Sequence, residues 1–260
     1  MAVQMKDRPP TPGPHPPITP PAEFVARHFH KQTWWVKAGW EGVVPEALTQ
    51  TPLETSTLVS GGRGAVRRVE LGACGTAIVR QYCRGGLLRH FVRDLYWDRP
   101  PRPFAELLCT AAARQRGVPT VDVLGAGVEW VTLGLYRGTL VTGEAEGCIN
   151  LWEWLQKQST GMAREAVIAA TARVIAQLHD AGVAHADLNL TNILVRAAQD
   201  VPTVLVIDFD RASVFPGPLP AAKRERNLRR LRRSLDKLDP GGLLCSPMDL
   251  KTFCRAYHSH

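Results

Sequence analysis

No stretch of this 260-residue chain reaches the roughly 18 consecutive apolar residues of a membrane-spanning helix, so no transmembrane helix is expected. An apolar signal-peptide core is missing as well, because Pro9, Pro10, Pro12, Pro14, Pro16 and Pro17 stand where it would lie. The default expectation is a cytosolic chain. Cysteine is thin: Cys74, Cys83, Cys109, Cys148, Cys245 and Cys254 are scattered, with no pair at CxxC spacing. That argues against a zinc site or disulfide framework and for reduced thiols. Negative charge is the scarcer sign, with 24 Asp and Glu against 32 Lys and Arg, a net charge of +8. Such a balance favours anionic partners (nucleotide phosphates, nucleic acid or an anionic membrane surface) without choosing among them.

What is present has ordinary globular composition, 45% hydrophobic and 22% charged, enough for one large domain or two lobes. Residues 1–22 read as a disordered, proline-rich tail. Residues 21–29 suggest a first helix, followed by Trp34, Trp35 and Trp40 as packing residues. Short β-like runs follow at 58–59, 65–71 and 76–82, the first two flanking Gly61-Gly62-Arg63-Gly64. Residues 102–117 are helical in pattern, with Phe104, Leu107, Leu108 and Ala111 at i, i+3, i+4 and i+7 and Gly117 as the stop. Two or three strands are expected over 121–142, and the polar run 143–147 reads as a hinge. Beyond it, helices at 151–158, 164–181, 221–238 and 247–257 surround two apolar strands at 193–195 and 204–207.

Those two strands frame the segment that carries chemistry. His185-Ala186-Asp187-Leu188-Asn189-Leu190-Thr191-Asn192 has the form H-x-D-L-x-x-x-N, and Asp208-Phe209-Asp210 follows an apolar pair. Phosphoryl transfer from ATP needs a carboxylate to receive the hydroxyl proton, and Asn and Asp oxygens for Mg2+. Asp187 fits the first role, and Asn192 with Asp208 the second. Either half alone would pass for a polar turn; both together point to a kinase. Upstream, Gly62, Arg63 and Gly64 form a candidate phosphate-covering loop, lacking the third glycine of G-x-G-x-x-G. Arg80 occupies the third-strand position where kinases hold a lysine, and Glu106 on the next helix is its candidate partner. His185 reads as a structural residue of the loop, bonded to nearby backbone.

A peptide acceptor is disfavoured. Asn189 stands where Ser/Thr kinases place a lysine, only 52 residues follow Asp208, and none spell A-P-E. A small-molecule or glycan hydroxyl is the better acceptor.

Several segments together are similar to the bacterial 3-deoxy-D-manno-octulosonic acid (Kdo) kinases of lipopolysaccharide core assembly. They are Gly62-Arg63-Gly64, Arg80-Gln81-Tyr82-Cys83-Arg84-Gly85-Gly86-Leu87, Arg93-Asp94-Leu95-Tyr96, Arg102-Pro103-Phe104-Ala105-Glu106, His185 to Asn192, Asp208-Phe209-Asp210-Arg211 and the basic run 227–235. They cover roughly residues 58–257. The resemblance implies a two-lobed, protein-kinase-like α+β fold, with a strand-rich nucleotide-binding lobe over 23–143 and a short helical catalytic lobe over 144–260. It also implies that Arg at position 80 is compatible with activity, and that ATP and Mg2+ are used. The implied reaction is transfer of the γ-phosphate to the 4-hydroxyl of Kdo on a lipid A precursor, at the cytoplasmic face of the inner membrane. Leu190-Thr191 and the proline-rich tail depart from the family pattern.

Two basic segments bear on partners. On a helix over 223–239, Leu228, Leu231, Leu235 and Leu238 share a face and arginines cover the rest, suited to solvent or to carboxylate sugars and phosphorylated lipid. No stacking aromatics interleave it, so nucleic acid is not expected as a partner. Residues 87–97, read as a helix, gather Leu88, Phe91, Val92, Leu95 and Tyr96 beside Arg89 and Arg93, a pattern for a bilayer interface or for core packing. The enzyme alternative is a kinase of core heptose or another sugar, and the alternative from another class is a catalytically silent module binding anionic glycolipid. Asp187, Asn192 and Asp208 favour catalysis. The sequence carries no signal for an oligomeric state.

Overall fold

The computed structural model describes residues 19–29, 31–42, 57–58, 66–72, 75–82, 95–96, 100–132, 134–157, 161–196 and 201–260. The glycine loop (Gly62, Arg63, Gly64), most of the segment 87–97 and most of the tail 1–22 therefore lie outside the described residues.

The first half builds a seven-stranded antiparallel sheet from β1 (Phe24–Phe29), β2 (Gln32–Lys37), β3 (Thr57–Leu58), β4 (Val66–Glu70), β5 (Thr76–Gln81), β6 (Val123–Thr132) and β7 (Leu135–Gly143). Its order is β1-β2-β6-β7-β5-β4-β3. One helix, α1 (Arg102–Gln115), interrupts it, with Pro103 in its first turn, where a missing N–H costs nothing. Leu107 and Ala113 are fully buried, and Phe104 stacks on Trp35 of β2 with ring centroids 4.2 Å apart.

The helix expected over residues 21–29 is strand β1 instead. Phe24 is buried and Ala26 packs on the same cluster, a period of two rather than 3.6. All six residues pair with β2, Phe24 opposite Lys37 and Phe29 opposite Gln32. Sheet pairing overrides the weak helical signal here. For Tyr96 the core-packing alternative holds: it is 3% exposed, bridged to Tyr136 and packed by Tyr82.

The second half is mainly helical: α2 (Leu151–Lys157), α3 (Met162–Asp180), α4 (Ala221–Leu238) and α5 (Pro247–His258). Between them lie β8 (Ile149–Asn150), β9 (Val183–Ala184), β10 (Ile193–Arg196), β11 (Thr203–Val206) and β12 (Ser213–Val214). β10 pairs with β8 and β11, and β9 pairs with β12. The core of this half gathers Leu155, Val167, Ile175, Leu178, Leu188, Ile193, Val206 and Phe209. Gly182, which ends α3, has φ +75°, and a Cβ there would come within 2.8 Å of the Phe215 carbonyl oxygen. Only glycine fits that turn.

Arg164 of α3 ties down α5. Its guanidinium donates to the Asp249 carboxylate (Nη2–Oδ2 3.0 Å) and to the Leu244 carbonyl, with side chains 6% and 12% exposed. Removing one partner of a buried pair strands the other charge. Arg164→Met should lower unfolding stability by about 3 kcal/mol in denaturant titration, while Arg164→Met with Asp249→Leu recovers most of the loss. Equal stabilities for the single and double variants would contradict this account.

Candidate active site

The site forms where α1 crosses the segment after β11. Arg80 on β5 projects between two carboxylates. It donates to Glu106 of α1, and its Nη1 donates to Asp208 Oδ1 at 2.6 Å. Tyr82, two residues along the same strand face, also donates its hydroxyl to Glu106. Glu106 is 2% exposed. Burial pushes its carboxyl up to about 7; the Arg80 charge opposes that and Asp208 adds to it. Burial works against the Arg80 charge too, but Glu106 and Asp208 more than restore it and hold the guanidinium protonated.

The expected pairing of Arg80 with Glu106 is thus present, and Asp208 joins it. One helical turn before Glu106, Arg102 donates to Asp210 (Nε–Oδ1 3.1 Å, with a second bond from Nη2), its guanidinium over the rings of Tyr82 and Tyr96. One turn after it, Cys109 Sγ donates to the Ala212 carbonyl at 3.3 Å. A single face of α1 therefore reads the chain from Asp208 to Ala212. The Arg102–Asp210 pair was not anticipated, although both residues lie in segments that the sequence singles out.

Asp208 adopts φ +65°, a conformation that Asp tolerates better than most residues and that recurs at functional sites. Phe209 between the two aspartates is 1% exposed and packs against His185 with ring centroids 5.2 Å apart.

The second part of the site is the loop 185–192. His185 is fully buried, and burial lowers its pKa. Its Nε2 lies 3.0 Å from the Ile207 carbonyl, and its Nδ1 accepts from the Asp187 N–H at 3.1 Å. Asn227 of α4 was not foreseen. Its Nδ2 donates to the His185 carbonyl at 2.7 Å and its Oδ1 accepts the His185 N–H at 3.2 Å, clamping the backbone from both sides. As the uncharged polar residue one turn before buried Leu231, it carried a faint sequence signal. Asn189 caps a single 3₁₀ turn, Leu190–Asn192, through the N–H groups of Thr191 and Asn192.

This framework leaves Asp187 exposed, with no hydrogen bond to its carboxylate among the described residues. The Asn192 amide donates to the Asp187 carbonyl at 2.9 Å, which turns its own Oδ1 outward from that bond. Ile193 pairs with Val206, and the Ile207 N–H bonds to the Asn192 carbonyl at 3.0 Å. Asn192 and Asp208 therefore emerge beside each other at the open end of the β10–β11 hairpin. Their uncommitted oxygens are the hard donors that Mg2+ takes together with substrate phosphates, so the residues fit that ion. Arg80, Glu106 and Asp208 are thus joined directly, and Asp187 and Asn192 lie on the loop bonded to the segment just ahead of Asp208; Gly62, Arg63 and Gly64 lie outside the described residues.

A strand cation paired to a helix glutamate, facing a loop carboxylate and a metal-type Asn/Asp set, defines a protein-kinase-like protein. The fold agrees: a solved structure described as WaaP in complex with acyl carrier protein superposes with a TM-score of 0.58 at 18% identity, covering 87% of this chain and 89% of that one. The chain belongs to the lipopolysaccharide kinase (Kdo/WaaP) family, whose model matches residues 58–257. It is 38% identical over 183 residues to the 3-deoxy-D-manno-octulosonic acid kinase of Xanthomonas axonopodis pv. citri (strain 306), covering 69% of each chain. The 3-deoxy-D-manno-octulosonic acid kinase of Actinobacillus succinogenes is 31% identical over 187 residues, covering 70% of this chain and 75% of the relative.

Glu106 supplies a pH test. A carboxyl raised in the folded state binds its proton more tightly there, so its stabilising contribution is present below its ordinary pKa and is lost as pH rises to about 7. Glu106→Gln mimics the protonated form. Between pH 5 and 8 the variant should gain about 1–3 kcal/mol relative to the unsubstituted protein in urea titrations. A difference independent of pH would contradict the raised value.

Proposed function

We propose that this chain transfers the γ-phosphate of ATP to the 4-hydroxyl of a Kdo residue on a lipid A precursor. The observation that carries the reading is the network that joins Arg80, Glu106 and Asp208 and sets the Asp187–Asn192 loop against the segment ahead of Asp208, within a chain of the Kdo/WaaP family. The curated relatives named as Kdo kinases support the choice of acceptor over core heptose.

In this reading Asp187 orients the acceptor hydroxyl and takes its proton as the oxygen attacks phosphorus; the bond from phosphorus to the ADP leaving oxygen breaks. Its exposed, uncommitted carboxylate suits that role, and the bonds to its backbone fix where it points. Asn192 and Asp208 would hold Mg2+, which supplies charge neutralisation on the phosphates. Arg80 exchanges its bond to Asp208 for the ATP phosphates and stays anchored by Glu106. Gly62, Arg63 and Gly64, outside the described residues, would supply backbone N–H groups to the phosphates.

None of the helices among the described residues is long and apolar enough to cross a membrane. We assign the working position of the protein to the cytoplasmic face of the inner membrane, held peripherally by basic residues including Arg84, Arg89 and Arg93, because the acceptor sugars stand close to the bilayer. Each such charge contributes about 1 kcal/mol near an anionic surface. Replacing all three with Gln should therefore reduce co-sedimentation with anionic vesicles by about two decades at low salt. Equal sedimentation of the two proteins would refute the attachment.

The reaction is tested with labelled ATP and Kdo-bearing lipid A precursor, alongside heptose-bearing acceptors. Asp187→Asn should retain nucleotide binding and lose about 10²–10⁴-fold in transfer, whereas Asp208→Ala should weaken Mg2+–ATP binding itself. Near-normal turnover by Asp187→Asn would overturn the mechanism, and labelling of the heptose acceptor alone would overturn the acceptor.

A further inference from the structure

Helix α4 carries its arginines in two groups. Arg224 pairs with Asp180 (2.7 Å), Arg229 with Glu225 (2.6 Å) and Arg232 with Asp236 (2.7 Å). Arg226, Arg230, Arg233 and Lys237 have no ion pair among the described residues. At about 100° per residue, these four positions fall within roughly 60° of one another and form a single stripe. It extends about 16 Å along the helix, from Arg226 to Lys237.

The stripe has a definite place in the fold. Leu231 marks the buried face of α4, and Asn227 and Ser234 project between Leu231 and the stripe. Those two residues are the ones that hold the catalytic loop, Asn227 on His185 and Ser234 Oγ on the Leu190 N–H at 3.3 Å. The neutralised pairs, Arg229–Glu225 and Arg232–Asp236, lie on the opposite flank. The uncompensated cations therefore border the loop that bears Asp187. Arg230 is near enough to His185 for its charge to add to the lowering that burial produces there. A surface depression of about 470 Å³ on this helix is lined by Arg226, Arg230 and Arg233 of the stripe and also by the paired Arg229 and Arg232.

Four unpaired cations on one helix flank repel one another at a cost that a soluble surface ordinarily avoids by interspersing carboxylates, as the other flank does. Guanidinium groups match phosphate oxygens in bidentate geometry. We propose that the Arg226–Arg230–Arg233–Lys237 stripe docks phosphate groups of the acceptor glycolipid, away from the hydroxyl that reacts, and thereby selects a phosphorylated lipid headgroup. The inference rests on the acceptor class proposed above and adds the site that recognises it.

The test measures affinity separately from turnover. Kdo-bearing lipid A precursor, in its phosphorylated form and after phosphatase treatment, is titrated calorimetrically against the full chain and against a variant with Arg226→Gln, Arg230→Gln and Arg233→Gln. The variant should bind the phosphorylated acceptor about 30-fold more weakly and the phosphatase-treated acceptor within about 2-fold of the unsubstituted protein. Its KM for ATP and its kcat at saturating acceptor should be unchanged within about 3-fold, since the stripe touches neither ATP nor the reacting atoms. Lysine at the same three positions keeps the charge and should restore most of the affinity, which a merely misfolded variant would not show. Lys157→Gln with Lys251→Gln and Arg255→Gln removes equal charge elsewhere and should change nothing. Unaltered affinity in the stripe variant, an equal loss for both acceptors, or a loss confined to anionic vesicles would overturn the proposal. Phosphate-dependent binding without phosphorylation of the acceptor would sink the assigned activity and leave the docking site standing.

Discussion

One guanidinium holds the two halves of this molecule in register. Arg80 comes from a sheet strand, Glu106 from the helix packed on that sheet, and Asp208 from the turn after β11 in the other half. Glu106 could not be buried as an anion without the cation beside it, and the cation in turn needs both carboxylates to offset its own desolvation. The rest of the cleft follows from this exchange. Because Glu106 is fixed, the α1 positions one turn either side of it are fixed as well, and Arg102 and Cys109 meet Asp210 and the Ala212 carbonyl as a consequence.

The loop 185–192 reaches comparable order by a different means, using neutral hydrogen bonds to the backbone. His185 links the start of the loop 185–192 to Ile207, just ahead of Asp208, and Asn227 grips the His185 peptide. Every polar atom in this arrangement that is buried has a stated partner, which is what makes a buried network rigid. The exposed carboxylate of Asp187 stands on that rigid base. Movement of that carboxylate is therefore limited to its own side-chain torsions.

Much of the site could be read from spacing because phosphoryl transfer constrains residue types at fixed separations: His185 to Asn192 and Asp208 are legible as chemistry before any fold is known. The helices and the two longer strands of the helical half were equally legible, since α3 and α4 carry long apolar periodicities, whereas the two-residue strands β8, β9 and β12 were not. What escaped was decided by distant partners. The six residues of β1 are strand because β2 offers a pairing edge, and nothing local in Phe24–Phe29 announces that. For Tyr96 the pattern left a bilayer interface and core packing open, and the choice is made by Tyr136, forty residues away in the chain. Asn227 sits in a run dominated by Leu and Arg, where one amide is easily passed over, and its importance lies entirely in what it faces. Arg102 and Asp210 were each in view, but pairing across 108 residues is a property of the packed lobes alone.

The enclosure of Phe209 bears on how such a protein could be inhibited. The ring is 1% exposed, and the aspartates on both sides are tied to arginines of the other half, Asp208 to Arg80 and Asp210 to Arg102. A compound that gains affinity by displacing this phenyl ring and filling the space behind it would have to break two ion pairs that bridge the lobes, leaving four charged groups partly desolvated. Screening libraries built around ligands of that kind start at a disadvantage here. Compounds that present an anion to Arg80 meet a cation already held in place by Glu106 and Asp208.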